Sequence, residues 1–215
     1  MLRYLIAPVV VLTVLVSCAS PQNDGTKATI AGRKLNNEVL DCDLPGELHM
    51  KNIGSRVDGA GMCVMTSLEM AALWQGMDYM KGLRDWCAKE PGGGYPEKVD
   101  KQLAAYCRSK NIEVPKYLQY EGPDIEAVLA MAAKTGRMSC ITYGIGERYN
   151  NQQIAHMVCA SKFSGQYGVV LDNNFPGEGA YEWMSRNELV RRIKFPRGNG
   201  WVFVWLTNPP SPSPK

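Results

Sequence analysis

The chain alternates between stretches that are apolar at helical spacing and stretches that are apolar without a break, and the two kinds fall in different halves. Val64, Leu68, Ala71 and Ala72 recur with the period of one helix face, so a first helix is predicted over residues 61–75, stopped at Gly76. A second candidate covers residues 80–89 and ends at Pro91-Gly92-Gly93-Gly94. A third starts after Pro96 and carries Val99, Leu103 and Tyr106 or Cys107 on one face. Residues 112–115 and 117–120 read as extended. Pro123-Asp124 then opens a fourth helix, residues 125–134, with Gly136 as its stop. Beyond this the pattern changes to strands: residues 138–143, 154–163 and 167–171, the last two joined by Ser164-Gly165 as a hairpin. Residues 172–180 read as a loop. Ser185-Arg186-Asn187-Glu188 is a capping-box pattern and opens a short helix through Ile193. A final strand covers residues 201–206. Helices first and antiparallel strands second predict an α+β fold, with an N-terminal helical half packed on a C-terminal antiparallel sheet.

The first 17 residues stand apart. Arg3 precedes an apolar run from Leu5 to Val16, too short for a comfortable membrane span and suited to a secretory signal. The run ends in Leu15-Val16-Ser17-Cys18, which resembles the bacterial lipobox. The resemblance implies cleavage before Cys18 and lipidation of its sulfur, and Ala19 supplies no acidic inner-membrane retention signal. The expectation is an exported protein anchored by lipid in the cell envelope of a bacterium, at the outer membrane. Residues 1–17 are then the signal peptide, 18–35 a polar flexible tether, 36–208 the folded domain and 209–215 a disordered Pro/Ser tail.

Composition narrows the function without choosing it. A chain of 215 residues that is 45% hydrophobic and 21% charged describes an ordinary globular protein. The net charge of +3 comes with no dense Lys/Arg stripe, so no nucleic-acid partner is implied. Seven cysteines call for an account. Cys87 and Cys107 flank a Gly/Pro turn and could pair; Cys140 and Cys159 sit in two predicted strands, as small buried side chains or as a cross-strand pair. No CxxC spacing and no Cys/His pair at ligand distance is present, so neither a metal nor another cofactor is implied.

The candidate chemistry begins at Gly59-Ala60-Gly61-Met62-Cys63. A glycine-rich turn running into a helix puts Cys63 at the helix N-terminus, where unpaired backbone N–H groups and the helix dipole favour thiolate. The bland alternative is a buried structural cysteine. His156 is one of two histidines and the one in a predicted strand; His49 lies on a loop-like stretch and reads as a surface residue. An imidazole in reach of a thiol can take its proton and later give it to a leaving amine, provided a third group holds the ring in the useful tautomer.

Gly61-Met62-Cys63, Ile154-Ala155-His156-Met157-Val158 and the run from Val169 to Gly177 occur in an order that resembles papain-like cysteine peptidases, nearest to the double-glycine-leader peptidase domains of bacteria. The resemblance covers residues 54–206. It implies a papain-like fold and hydrolysis of a peptide or isopeptide bond in a peptide or protein substrate, through a Cys63 acyl-enzyme with His156 as base and then acid. The orienting residue stays open. Likeness to the leader peptidases selects Asp172. Likeness to papain selects Asn173, the first choice here, with Phe175 two positions on to shield the pair. The family also carries a glutamine six positions before the cysteine as an oxyanion donor, and that position is Val57. Asn52, Ser55 and Arg56 are the substitutes on offer, beside the Cys63 backbone N–H. Two other outcomes fit the same residues: a catalytically inactive binding module, and an acyl transferase of the transglutaminase type.

Overall fold

The computed structural model describes residues 30–31, 35–54, 61–90, 93–177 and 179–207. The signal segment, Cys18 and the Pro/Ser tail fall outside them. The central element is α1, Cys63–Trp74, in which every residue from Val64 to Leu73 is buried. A helix apolar on nearly all sides belongs in the middle of a domain rather than on its surface. Its three buried polar side chains are all satisfied. Thr66 Oγ1 donates to the Met62 carbonyl at 2.7 Å, and Ser67 Oγ donates to the Met157 carbonyl at 3.0 Å. Glu69 accepts from the backbone N–H groups of Gly82 and Arg84, at 2.7 and 2.8 Å. Those are the free amides that begin the short helix α2, Leu83–Cys87, so a buried carboxylate of one helix caps the next. The third helix, α3, runs Pro96–Ser109 and buries Val99, Leu103, Tyr106 and Cys107 as its spacing predicts.

The sheet has seven antiparallel strands, of which the two-residue β1, Ile30–Ala31, precedes the helices. The others are β2 (Tyr117–Gly122), β3 (Ser139–Ile145), β4 (Gln153–Lys162), β5 (Tyr167–Leu171), β6 (Tyr181–Ser185) and β7 (Gly200–Trp205). Their order across the sheet is β1-β6-β5-β4-β3-β7-β2. Helix α4, Ile125–Lys134, joins β2 to β3, and α5, Arg186–Lys194, follows β6 directly. Cys140, Met157, Cys159, Val169, Leu171, Trp183 and Phe203 face the core shared with α1 to α3. Ile141, Tyr143, Val158, Val170, Met184 and Val202 face a second core with α4 and α5. Burial on both faces explains why β4, β5 and β7 read as continuous apolar runs. The α+β class holds, while the helices lie on both sides of the sheet rather than in one N-terminal layer.

Three boundaries differ from expectation. Ile30 and Ala31 pair with Trp183 and Glu182 at the sheet edge, inside the stretch expected to be tether. The 80–89 helix shrinks to Leu83–Cys87, preceded by a 3₁₀ turn at Asp78–Met80. Residues 112–115 form no strand. The pattern also misses β6, because Glu182 interrupts it and Ser185 immediately caps α5 by accepting from the Glu188 N–H. Among the described residues no helix is long and apolar enough to cross a membrane.

Candidate active site

Cys63 is the first residue of α1, and the chain leading to it is held in place. Met62 N–H donates to the Ile53 carbonyl at 2.7 Å, and Gly54 pairs with Gly61 as an isolated bridge. Gly94 closes the other side. A Cβ on Gly94 would sit 2.5 Å from Val64 Cβ, so only glycine lets this backbone lie against the turn that presents the sulfur. Cys63 is partly exposed, whereas the other described cysteines are buried, and all six are free thiols. The two pairings considered from sequence are therefore not formed. Cys140 and Cys159 do stand opposite each other in the β3–β4 ladder. Burial, first of all, raises the pKa of Cys140 and Cys107, and pushes that of Cys87 up to about 12. These thiols are inert packing residues.

His156 comes from β4, at the point where the β3–β4 register shifts beyond the Tyr143–His156 pair. Irregularities of this kind re-aim a side chain at the end of a ladder. The imidazole is buried, its side chain 5% exposed. Its Nε2 lies 2.9 Å from Asp172 Oδ1. Burial acts to lower the ring's pKa. The Cys63 thiol also acts on the ring, by hydrogen bonding and by charge, and both raise its pKa. The hydrogen bonds to Asp172 and Cys63 and their charges outweigh burial, and raise the pKa from 6.5 to about 9.

Asp172 follows β5 and is fully buried. Oδ1 accepts from His156 and from the Asn174 N–H at 2.9 Å, and Oδ2 accepts from Tyr149 Oη at 2.8 Å. Burial acts to raise its pKa, but these donors, His156 foremost, hold the carboxyl below its ordinary value. Asp172, rather than Asn173, is therefore the residue against the ring. The Asn173 carboxamide turns the other way. Its Nδ2 lies 2.9 Å from both the Met157 carbonyl and Ser67 Oγ, and 3.2 Å from the Cys63 carbonyl. It fills the wedge where β4 and β5 separate and fastens both to the head of α1. Alternation along a strand explains the difference, since adjacent residues face opposite ways.

Phe175 does not cover the imidazole. Tyr149 does, at 5.8 Å between ring centroids, and Phe175 backs Tyr149 edge-on at 5.5 Å. Of the oxyanion candidates, Ser55 and Arg56 lie outside the described residues. Asn52 is beside the site, because the chain leaves at Gly54 and returns to pair with it at Gly61. Its Nδ2 is 3.3 Å from where a Gly61 Cβ would stand and donates to Asn174 Oδ1 at 3.0 Å, leaving its second hydrogen uncommitted. His49 is away from this cluster and donates Nε2 to the Leu44 carbonyl. Among the described residues no group of His, Cys, Asp and Glu could hold a metal ion.

Behind the site lies a buried ion cluster. Arg192 Nη1 donates to Glu182 Oε1 and to Tyr143 Oη, both at 2.6 Å, and Arg192 Nε donates to Glu188 at 2.6 Å. Tyr143 is the cross-strand neighbour of His156. From sequence, Tyr143 and Tyr149 lie in or beside a glycine-bearing loop that could line a cleft, whereas Asn174, Glu182 and Arg192 are assigned no role. No protein-family model matches the chain, and no curated protein is significantly similar to it.

Proposed function

We propose that this chain is a hydrolase of papain-like fold that cleaves a peptide or isopeptide bond through Cys63, exported and held to a bacterial envelope by lipid on Cys18. The observation that carries the reading is the imidazole of His156 hydrogen-bonded to Asp172, with its pKa raised by a part-exposed thiol at a helix N-terminus. With a pKa of about 9, the ring is protonated at neutral pH, the form that partners a thiolate. In the first step the sulfur attacks the carbonyl carbon and the C=O electron pair moves to oxygen. The Cys63 backbone N–H and the spare Asn52 Nδ2 hydrogen are the proposed donors to that oxyanion. His156 then gives its proton to the departing amine, leaving an S-acyl enzyme. A water, deprotonated by His156, attacks the thioester, and release of the acid restores the thiolate–imidazolium pair. Throughout, Asp172 keeps Nε2–H engaged, so Nδ1 remains the nitrogen that exchanges the proton.

Iodoacetamide at pH 6 tests the reading. Cys63 is expected to label much faster than an ordinary thiol, and His156→Ala abolishes the advantage. Labelling at the rate of a free cysteine rejects the ion pair. Incubation with a peptide library, with and without an added amine, then separates hydrolysis from acyl transfer, and turnover that survives Cys63→Ala rejects both.

A further inference from the structure

Tyr149 is fixed far more firmly than a residue that merely covers a ring requires. It ends a 3₁₀ turn, Glu147–Tyr149, whose other two residues are tied to the ion cluster behind the sheet. Glu147 lies 3.5 Å from Arg192 Nη2. Arg148 Nε is 3.9 Å from Glu182, and its Nη2 donates to the Gly179 carbonyl. The turn closes through two successive non-glycine residues in the left-handed region, Asn150 and Asn151, each with φ of 54°. Such backbone persists where surrounding contacts over-determine it, and it gathers at functional sites.

The phenol at the end of this braced turn sits between two groups. Tyr149 Oη donates to Asp172 Oδ2 at 2.8 Å and accepts from Asn174 Nδ2 at 3.0 Å. Asn174 Oδ1 accepts from Asn52 Nδ2 at 3.0 Å. An unbroken run of hydrogen bonds thus leads from the imidazole, through Asp172, Tyr149 and Asn174, to the amide beside Gly61. We propose that Tyr149 is a positioning residue: it fixes the carboxylate that orients His156 and, through Asn174, sets the Asn52 amide by the same hydrogen bonds. This rests on the hydrolase reading for its catalytic meaning, though not for its geometry. The tyrosine hydroxyl cannot titrate in the working range, since burial and the Asp172 charge raise its pKa far above 10.0. The phenol therefore keeps its proton and can donate to the ionised Asp172 carboxylate. The other charged or titratable groups facing this run are His156 on β4, Cys63 on α1, Tyr143 on β3 and Arg148 on the turn, with Glu182 and Arg192 behind them.

The experiment uses the whole folded protein and its two histidines, whose ring resonances are separable by NMR. In the wild type, the His156 signal carries an acid-side inflection that reports protonation of Asp172. Tyr149→Phe removes one of three donors from that carboxylate and keeps the ring, so the inflection moves up by roughly one pH unit. The side-chain amide signals of Asn174 and Asn52 move with it, and those of Asn173 stay. Asn174→Ala weakens the same run from the other end and shifts the inflection in the same direction by less; it serves if Tyr149→Phe does not fold. An unmoved inflection, or Asn52 signals indifferent to Tyr149→Phe, overturns the proposal. Slow iodoacetamide labelling of wild-type Cys63 rejects the hydrolase reading instead, and leaves these NMR shifts as they are.

Discussion

Asp172 Oδ1 stands 2.9 Å from His156 Nε2, while the neighbouring Asn173 turns its amide onto the Cys63, Ser67 and Met157 atoms of the helix head and strand. One residue holds the imidazole and the next holds the frame. Substitution separates the two duties. On the hydrolase reading, Asp172→Asn is expected to lower turnover on the order of a hundredfold, with the fold intact. Asn173→Ala removes the amide hydrogen bonds to Met157, Ser67 and Cys63 and costs about 1–3 kcal/mol of stability, while the His156 ring keeps its raised pKa. Chemical denaturation and histidine NMR on the two variants read this difference.

The titration of the same pair predicts the pH dependence of stability. His156 rises from 6.5 unfolded to about 9 folded. Its contribution is complete below pH 6.5 and is lost as pH climbs through about 9. Asp172 is lowered from 3.8, so its contribution is complete above that value and is lost as pH falls through its folded pKa. The two together leave a plateau between about pH 4 and 6.5. Denaturation midpoints measured across roughly pH 3 to 10 are expected to fall at both ends, and the alkaline fall is smaller in His156→Gln.

Thiol reactivity divides the described cysteines into two classes. In the folded protein Cys63 takes up alkylating reagent, and Cys42, Cys87, Cys107, Cys140 and Cys159 do so only after denaturation. Peptide mapping by mass spectrometry before and after unfolding checks this. Rapid labelling of any buried member in native buffer contradicts the packing described above.

The Arg192–Glu182 pair is 2% and 0% exposed, so breaking it from one side is costly. Glu182→Gln or Arg192→Met alone is expected to destabilise by about 3–5 kcal/mol. Replacing both at once with apolar residues recovers much of the loss, because no unpaired charge is then buried. A double-mutant cycle on denaturation free energies measures the coupling.

How much of this is readable beforehand depends on whether a feature is local. Helix α4 and strand β5 end where their patterns end, at Lys134 and Leu171, because Gly136 and the residues from Asp172 onward mark the stops in sequence. Cys63 and His156 are readable as candidates from a glycine turn before a helix and a lone histidine in a strand. Strand β6 is not, because Glu182 looks like a surface residue until Arg192 arrives from the following helix. The choice of Asp172 over Asn173 depends on which way β5 faces as it leaves the sheet, a matter of register that no short window contains. Asn52 escapes a fixed offset from the cysteine because the intervening chain leaves and returns at Gly54 and Gly61. Tyr149 reaches Asp172 across 23 positions and has no motif to announce it.

The Glu69 cap on α2 bears on how that helix opens. A carboxylate sealed in the interior opposite the first amides of another helix has no solvent to fall back on, so opening of α2 leaves Glu69 without its two backbone donors. Shortening that acid by one methylene, Glu69→Asp, would be felt first as fraying of residues 82–87. An amide-exchange map would show those hydrogens released in step with each other, ahead of the sheet.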